Sequence, residues 1–262
     1  HNELPVNVDI SIVKESKRKG YNLIPSYLFA DSGVNESGEK YEIEIEVINE
    51  KVGFGTPYST PALLEAAIKK TIKLVMSGLQ STNFPVSYVE QKSILDDYMQ
   101  MLWKDNFKEN TRVFPKNFVG PSAYTLQMKN IAQINPDSII PNIRTNYTVT
   151  DKADGIRKLL YISKNGKIYL IDQNMNVQFT GAITKKNHIF NTLLDGEHIL
   201  QNKDKKFINL YAAFDIYYLK DVDIRSLGFT PTKADDIASN FRLTKLASVI
   251  SELAPQNINK AS

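Results

Sequence analysis

The stretch TVTDKADGIRKLLYI, residues 148–162, joins a charged turn to an apolar run and decides how the second half of the chain folds. Its flanks, 147–150 and 157–163, are rich in β-branched and apolar residues, which predicts a strand on each side of the turn. A surface turn needs a glycine and at most an aspartate. This turn instead holds four chemically distinct residues within six positions: Lys152, Asp154, Gly155 and Arg157. The pattern therefore indicates a site, and a hairpin turn with solvated charges is the alternative.

The residues of this turn suit chemistry on phosphorus. A lysine amine attacks as a nucleophile only when it is neutral, so its pKa has to fall through desolvation or a neighbouring cation. Arg157 or a nearby metal ion would supply such a positive field. Asp154 would orient the ammonium group or bind a metal-associated water, and Gly155 would let the backbone approach a nucleotide closely.

Composition sets the outer limits on function. The chain has 262 residues, of which 42% are hydrophobic and 23% charged, so it is expected to be a globular protein with a substantial core. A net charge of +3 does not by itself indicate a nucleic-acid binder. The absence of cysteine excludes disulfides and thiolate metal sites and fits an intracellular protein. The histidines His1, His188 and His198 have no metal-ligand spacing and are interpreted as incidental. No apolar run is long enough to span a membrane, and no signal peptide is apparent.

The first half of the chain shows two kinds of periodicity. Alternation of apolar and polar residues predicts strands at 6–13 and 41–47. A helical pattern follows, in which Ser59 or Thr60 serves as the first cap, a proline occupies the first helical position and Gly78 is a stop. Helices are expected at about 60–78, 87–103 and 122–134.

From Tyr147 onward the pattern of strands returns, with an Asn-Gly hairpin turn at 165–166. The expected strands are 147–150, 157–163, 167–172, 191–200 and 207–218. A closing helix over about 236–253 would carry one apolar face, formed by Ile237, Phe241, Leu246, Val249, Ile250 and Leu253. Along the chain, strands are followed by helices and then by strands with a final helix. This order predicts an α+β protein of two different domains joined by a helical segment.

Two further motifs follow the lysine turn. In NTLLDGEHI, residues 191–199, Asp195 and Glu197 place carboxylates where sugar hydroxyls or Mg²⁺ would be held. The apolar strand YAAFDIYYL, residues 211–219, is interrupted by Asp215, which needs a cation or donors if it is buried. Phe214 would stack on a base, although an aromatic residue in such a strand is more often part of the core.

In this order and at these spacings, KADGIR, LLDGE and AFDIYY resemble motifs I, III and IIIa of the covalent nucleotidyltransferases. That superfamily contains the mRNA capping guanylyltransferases and the polynucleotide ligases. The form NTLLDGE, the segment IYLIDQNMNV (168–177) and the lead-in FVGPSAYTL (118–126) are similar to capping enzymes of large DNA viruses. The resemblance covers about residues 115–230.

The resemblance implies a mechanism. Lys152 would attack the α-phosphorus of GTP, release pyrophosphate and form a lysyl–GMP intermediate, from which GMP passes to the 5′-diphosphate end of RNA. Mg²⁺ or Mn²⁺ would neutralise the phosphates. Glu197 would contact the ribose and Phe214 the guanine. The nucleotide-binding set would also include Asp154, Gly155, Arg157 and Asp215. One departure is Gln173, since the family often has arginine after the ID dipeptide, and this leaves a ribose or phosphate contact from this position open.

The strand KYEIEIEV, residues 40–47, has Glu42, Glu44 and Glu46 on one face and apolar residues on the other. An amphipathic strand facing water explains this pattern, but three neighbouring carboxylates also suit a divalent cation. The strand resembles the metal-binding ExExE strand of triphosphate tunnel RNA triphosphatases. VDISIVK, residues 8–14, resembles an earlier strand of that tunnel, with Lys14 facing the triphosphate.

Together these resemblances imply an α+β multifunctional capping enzyme of large DNA virus type, intracellular in a virion or host cytoplasm. Its parts would be a partial triphosphate-tunnel barrel (1–58), a helical connector (59–114) and an antiparallel-sheet-rich, ligase-like nucleotidyltransferase domain (115–262). Later motifs and an oligonucleotide-binding-fold domain are missing, and the chain begins with His1 rather than Met. We therefore expect a piece of a longer polypeptide, in which a methyltransferase is also conceivable, and weak or no activity from this piece. The alternatives are an ATP-dependent ligase and a non-catalytic RNA-binding module.

Overall fold

A computed structural model describes residues 3–145, 147–231, 237 and 240–258. The chain forms two compact units, His1–Leu79 and Gln80–Ser262. The domain boundaries predicted after residues 58 and 114 remain predictions. None of the helices in the described ranges combines the length and apolar composition that crossing a bilayer requires.

The first unit contains a two-stranded antiparallel ribbon, a minimal hairpin and one long helix. Its elements are β1 (Val6–Val13), β2 (Arg18–Lys19), β3 (Asn22–Leu23), β4 (Lys40–Val47) and α1 (Pro61–Leu79). β1 pairs with β4, so that Val8 lies opposite Ile45 and Asp9 opposite Glu44. The capping prediction for α1 is confirmed, because the Leu63 amide donates to the Thr60 hydroxyl at 3.4 Å. The ribbon does not test the tunnel barrel, which stays a prediction.

The second unit combines helices with an antiparallel sheet, which confirms the predicted mixture of helix and antiparallel sheet. Its helices are α2 (Tyr88–Trp103), α3 (Met128–Ile131) and α4 (Arg242–Glu252). Its strands are β5 (Ile156–Ile162), β6 (Lys167–Asp172), β7 (Val177–Ile183), β8 (Thr192–Gln201), β9 (Phe207–Leu219), β10 (Val222–Asp223) and β11 (Gln256–Asn257). They form one sheet in the order β10-β9-β8-β5-β6-β7-β11, and every neighbouring pair is antiparallel.

The sheet is buried on both faces at its centre. On β5, Leu159 and Tyr161 belong to the apolar cluster that includes α2, whereas Leu160 and Ile162 belong to the cluster that includes α4. Successive side chains of a strand point to opposite faces, so a strand covered on both sides has an almost continuous apolar sequence. This double burial explains the run LLYI and fixes the register of β5 between β6 and β8.

Three predictions of secondary structure are wrong. Residues 147–150 form no strand; Val149 is fully exposed, and a β-prone sequence without a partner strand gains nothing from extension. Of the helix expected at 122–134 only the turn Met128–Ile131 forms. There the Asn130 side chain accepts from the Gln127 amide and donates to the Pro141 carbonyl, which stabilises a turn rather than a longer helix.

The third wrong prediction is the omission of β7, whose sequence VQFTGAI contains Gly181 at a positive φ of 77°. The closing helix begins at Arg242 rather than near residue 236, and residues 232–236 lie outside the described part. Of its predicted apolar face, Leu246 and Val249 are buried, whereas Ile250 is 45% exposed.

Candidate active site

The lysine motif is divided between irregular chain and strand. Lys152 to Gly155 lie in a segment without regular structure, and β5 begins at the next residue. The Lys152 Nζ contacts Asp154 Oδ1, and the two side chains are 84% and 90% exposed. The hydrogen bond and charge of Asp154 raise the pKa of Lys152, and Lys152 in turn lowers the pKa of Asp154. In this state the group is an ammonium, so it would have to leave Asp154 and lose a proton before it could act as a nucleophile.

Gly155 brings the motif against β8. A Cβ at this position would lie 2.6 Å from the His198 carbonyl oxygen and 2.9 Å from Glu197 Cγ. The glycine is therefore required by close packing on protein backbone. The approach of this backbone to a nucleotide stays a prediction. The contact also brings Glu197 beside the motif, and the charge of Glu197 contributes to the raised pKa of Lys152.

Arg157, on β5, points to a different partner. Its Nε and Nη2 bond to Asp195 Oδ1 and Oδ2 of β8 at 3.0 Å and 2.6 Å, and Asp195 is fully buried. The Tyr217 hydroxyl donates to the same carboxylate. The bond to Asp195 raises the pKa of Arg157. The guanidinium is thus a fixed positive charge held in the sheet and does not contact Lys152.

The lead-in segment 118–121 completes the surroundings of Arg157. The Arg157 Nη1 donates to the Pro121 carbonyl at 2.6 Å, and the guanidinium lies over the Phe118 ring at 5.5 Å. Gly120, with φ of 131°, faces the guanidinium so closely that a Cβ would collide with it. The similarity noted for this segment therefore has a physical basis, since it packs on the motif arginine.

Asp215 has the cation partner that its position in an apolar strand requires. Arg242 Nε and Nη2 bond to its two oxygens at 2.8 Å and 3.1 Å. Arg242 also donates to the Leu227 carbonyl and stacks over Phe229 at 5.6 Å. Sequence analysis missed Arg242, although the need of Asp215 for a cation was the signal that would have prompted a search for it.

A cavity of 560 Å³ collects several of these side chains. Phe214 is 39% exposed at its wall. The cavity is lined by Pro121, Ser122, Ala123, Tyr147, Thr148, Thr150, Arg157, Asp195, Phe214, Asp215, Tyr217, Phe229 and Arg242. The structure therefore brings Arg157, Phe214 and Asp215 to one cavity. Lys152, Asp154, Gly155 and Glu197 form a second group at the adjoining end of β5 and β8, and within the described ranges they do not line the cavity.

The carboxylates of the first unit remain on the surface. Glu42, Glu44 and Glu46 are exposed on β4, and Lys14 Nζ lies 3.4 Å from the Asn35 carbonyl. Among residues 3–145, 147–231, 237 and 240–258 no group of three or more histidine and carboxylate side chains can hold a metal ion. At the 560 Å³ cavity, Asp195 and Asp215 are each ion-paired to an arginine. The residues present do not fit a metal site built from protein ligands alone.

Comparison with known proteins identifies the second unit. The family model described as mRNA capping enzyme, catalytic domain, matches residues 81–241. A probable mRNA-capping enzyme of Acanthamoeba polyphaga mimivirus is 28% identical over 185 residues. That alignment covers 71% of this chain and 13% of the relative, so the chain corresponds to a small part of the relative's length. The lysine motif, LLDGE and AFDIYY all lie inside the region matched by the family model. The chain belongs to the mRNA capping enzyme catalytic-domain family.

Proposed function

We propose that the second unit is an mRNA guanylyltransferase in which Lys152 carries GMP. The observation that supports this most strongly is the accessible Lys152 amine, held by Asp154 within the family-matched segment and beside Glu197. The relative is far longer than this chain, so the activity and partners of the complete polypeptide belong to the proposal as well.

The first step forms a bond between Lys152 Nζ and the α-phosphorus of GTP and breaks the bond from that phosphorus to pyrophosphate. The Lys152 ammonium first leaves Asp154 and gives up one proton to solvent, which makes it a nucleophile. A second proton goes to solvent as the N–P bond forms, and the phosphoramidate nitrogen keeps one hydrogen. In the second step an oxygen of the RNA 5′-diphosphate attacks the same phosphorus. The phosphoramidate bond breaks, and the lysine amine is regenerated as GMP passes to RNA. The transfer is in line and depends on positioning and on neutralisation of charge.

The remaining candidate residues position the nucleotide. The Glu197 carboxylate would accept hydrogen bonds from the ribose hydroxyls, and the exposed face of Phe214 would stack on guanine. Arg157 and Asp215 line the cavity while bonded to Asp195 and Arg242, so they would act as fixed walls rather than as groups that move onto the substrate. Gly155 would keep the lysine segment against β8.

The first unit would belong to an RNA triphosphatase of the tunnel type. Glu42, Glu44 and Glu46 share one face of β4, and Lys14 follows β1. In the proposed organisation residues 1–58 are the last part of that domain, 59–114 a connector and 115–262 the guanylyltransferase. A requirement for Mg²⁺ or Mn²⁺ is expected of both activities. The described residues do not form a complete set of protein ligands for such an ion.

The test is covalent labelling with α-labelled GTP or ATP, followed by denaturing electrophoresis. Both the 262-residue chain and the longest polypeptide that contains it are labelled. We expect labelling from GTP alone, strong in the longer polypeptide and weak or absent in the chain, and complete loss in Lys152→Ala and Lys152→Arg. Lys164→Ala, which removes an exposed lysine at the other end of β5, is the matched control and should retain labelling.

Three results would overturn the proposal. Labelling from ATP alone would indicate a ligase. Labelling that persists in Lys152→Ala would indicate a different nucleophile. An unlabelled longer polypeptide that still retains RNA would indicate a non-catalytic RNA-binding module.

A further inference from the structure

The turn between β8 and β9 is a rigid basic projection. The Asn202 side chain accepts from the Asp204 and Lys206 amides at 3.0 Å and 2.9 Å, and its main chain bonds to Lys205 and Lys206. These bonds order the turn before any ligand arrives. The lysines that it presents are all exposed: Lys203, Lys205 and Lys206. In the described part of the chain, Lys205 and Lys206 make no side-chain hydrogen bond or ion pair, so their charges are available to a partner.

The basic turn lies at the same end of the sheet as the lysine motif. Gly155 packs on His198, a residue of β8, and the turn begins four residues later at Asn202. The charge of Lys203 is close enough to lower the pKa of Asp154. Residues 203–206 hold three lysines and Asp204, so this one turn carries a net charge of +2, whereas the whole chain carries only +3. An anion bound at this turn would lie at the end of the sheet where β5 begins, just after the Lys152 segment.

A cavity of 330 Å³ adjoins the turn. Phe207, which is 68% exposed, lines it together with His198, Asn209 and Gln178. His198 Nε2 donates to Asn209 Oδ1 at 2.8 Å, and Lys158 Nζ donates to Gln178 Oε1 at 3.0 Å. The side-chain oxygens of Asn209 and Gln178 therefore already accept hydrogen bonds. Their NH₂ groups have no partner in the described ranges and remain available as donors.

The buried ring of His198 adds an unsatisfied polar atom to this wall. His198 is 7% exposed, and its Nδ1 has no hydrogen-bond partner among the described residues. Burial lowers the pKa of His198, so the ring is neutral and Nδ1 is an acceptor. An exposed aromatic face combined with fixed amide donors suits a planar group with carbonyl or ring-nitrogen acceptors. Unstacked bases of single-stranded RNA are recognised by this combination of stacking and edge contacts.

We propose that the β8–β9 hairpin is the RNA-contacting edge of the second unit. Its lysines bind phosphates of the RNA 5′ end, and the cavity beside Phe207 holds one of the first bases. This inference rests on the proposed guanylyl transfer, which requires the RNA end to reach Lys152. A base held in the cavity and phosphates held at the turn would place the RNA end at the end of the sheet where β5 begins, just after the Lys152 segment.

The test measures affinity for a short single-stranded RNA with a 5′-diphosphate by fluorescence anisotropy, on the 262-residue chain and without GTP. For Lys205→Ala with Lys206→Ala we expect affinity to fall about tenfold or more, and the slope of log K against log salt to fall by about 0.7 per lysine. For Phe207→Ala we expect a loss of about tenfold with an unchanged salt slope, because a stacking contact rather than a charge is removed.

The matched control is Lys185→Ala with Lys186→Ala, an adjacent pair of exposed lysines that precedes β8 at its other end. Its affinity and salt slope should equal those of the unsubstituted chain. An equal loss in both pairs, or no loss in the β8–β9 pair and Phe207→Ala, would overturn the RNA edge. If the longer polypeptide forms the GMP adduct but the substituted chains bind RNA as tightly as the unsubstituted chain, only the proposed RNA-contacting edge is overturned. If the substitutions in the β8–β9 hairpin weaken RNA binding but the longer polypeptide forms no GMP adduct, only the proposed guanylyl transfer is overturned.

Discussion

Two ion pairs lie five residues apart at the start of β5, and they differ in almost every physical respect. Lys152–Asp154 is 84% and 90% exposed, on irregular chain, between residues two positions apart. Arg157–Asp195 is 21% and 0% exposed, joins two strands and receives a further bond from Tyr217. An exposed pair contributes little to stability, whereas removal of one member of a buried pair leaves an uncompensated charge. One short motif therefore contains an exposed ion pair that is easily replaced and a buried ion pair on which the fold depends.

The division follows from the position of Gly155. Before it, the chain has no ladder partner and both charged side chains reach water. After it, β5 is paired with β6 on one side and with β8 on the other. Arg157 there lies against the buried carboxylate of Asp195. In the proposed reaction the Lys152 amine can change partner, because the exposed bond to Asp154 contributes little to the stability of the fold.

The largest effect on stability is expected from Asp195→Ala. This substitution leaves the Arg157 guanidinium unpaired, and we expect the free energy of unfolding to fall by about 3–5 kcal/mol. The single tryptophan, Trp103, lies in the second unit, so its fluorescence during denaturant unfolding reports on this unit. Asp154→Ala is the matched carboxylate control and should unfold with the unsubstituted chain. Equal stabilities for the two variants would remove the distinction between the pairs.

A smaller effect is expected from Gly155→Ala, which tests the junction of the two regions. The new Cβ meets the His198 carbonyl at 2.6 Å, so backbone has to move, at a cost of about 1–3 kcal/mol in unfolding free energy. GMP labelling should fall as well, because the lysine segment is displaced from Glu197. Gly78→Ala, in helix α1 of the first unit, is the control: an added Cβ there meets nothing within 4 Å, so neither the unfolding of the second unit nor the GMP labelling should fall. A fully stable and active Gly155→Ala would show that the close approach is not required.

The smallest structural effect is expected from Asp154→Asn. Stability should not change measurably, but the pKa of Lys152 should fall because the carboxylate that raises it is gone. The neutral amine then forms at lower pH, so the Lys152 Nζ titration followed by NMR shifts to lower pH. The pair itself is lost as pH rises through the pKa of Lys152, or falls through the lowered pKa of Asp154. An unchanged titration would mean that Asp154 does not hold the amine in solution.

Much of the second unit follows from its sequence. Strands such as β5 and β6 have an apolar pattern that local reasoning detects, and the Asn165-Gly166 turn between them forms as predicted, with Gly166 at φ of 78°. The helix predicted at 87–103 also forms, as α2, and it begins where the Ser87 hydroxyl accepts from the Glu90 amide at 3.1 Å. These features depend on residues close together in the chain.

The remaining features depend on distant partners. Arg157 was expected beside the nucleotide, but its bond to Asp195 spans 38 residues and only strand pairing reveals it. The partner of Asp215 is 27 residues away, on α4. At 147–150, β-prone residues suggested a strand, but no neighbouring strand is present there to receive the hydrogen bonds.

Arg242 has a practical consequence for anyone trimming this chain. The family match stops at residue 241, a natural place to end a recombinant fragment. Such a fragment would lose the guanidinium that neutralises Asp215 at the cavity wall, together with the helix that it begins. An inactive or insoluble product cut there would reflect a missing counter-ion, and a fragment extended through α4 would be the fair test of the domain.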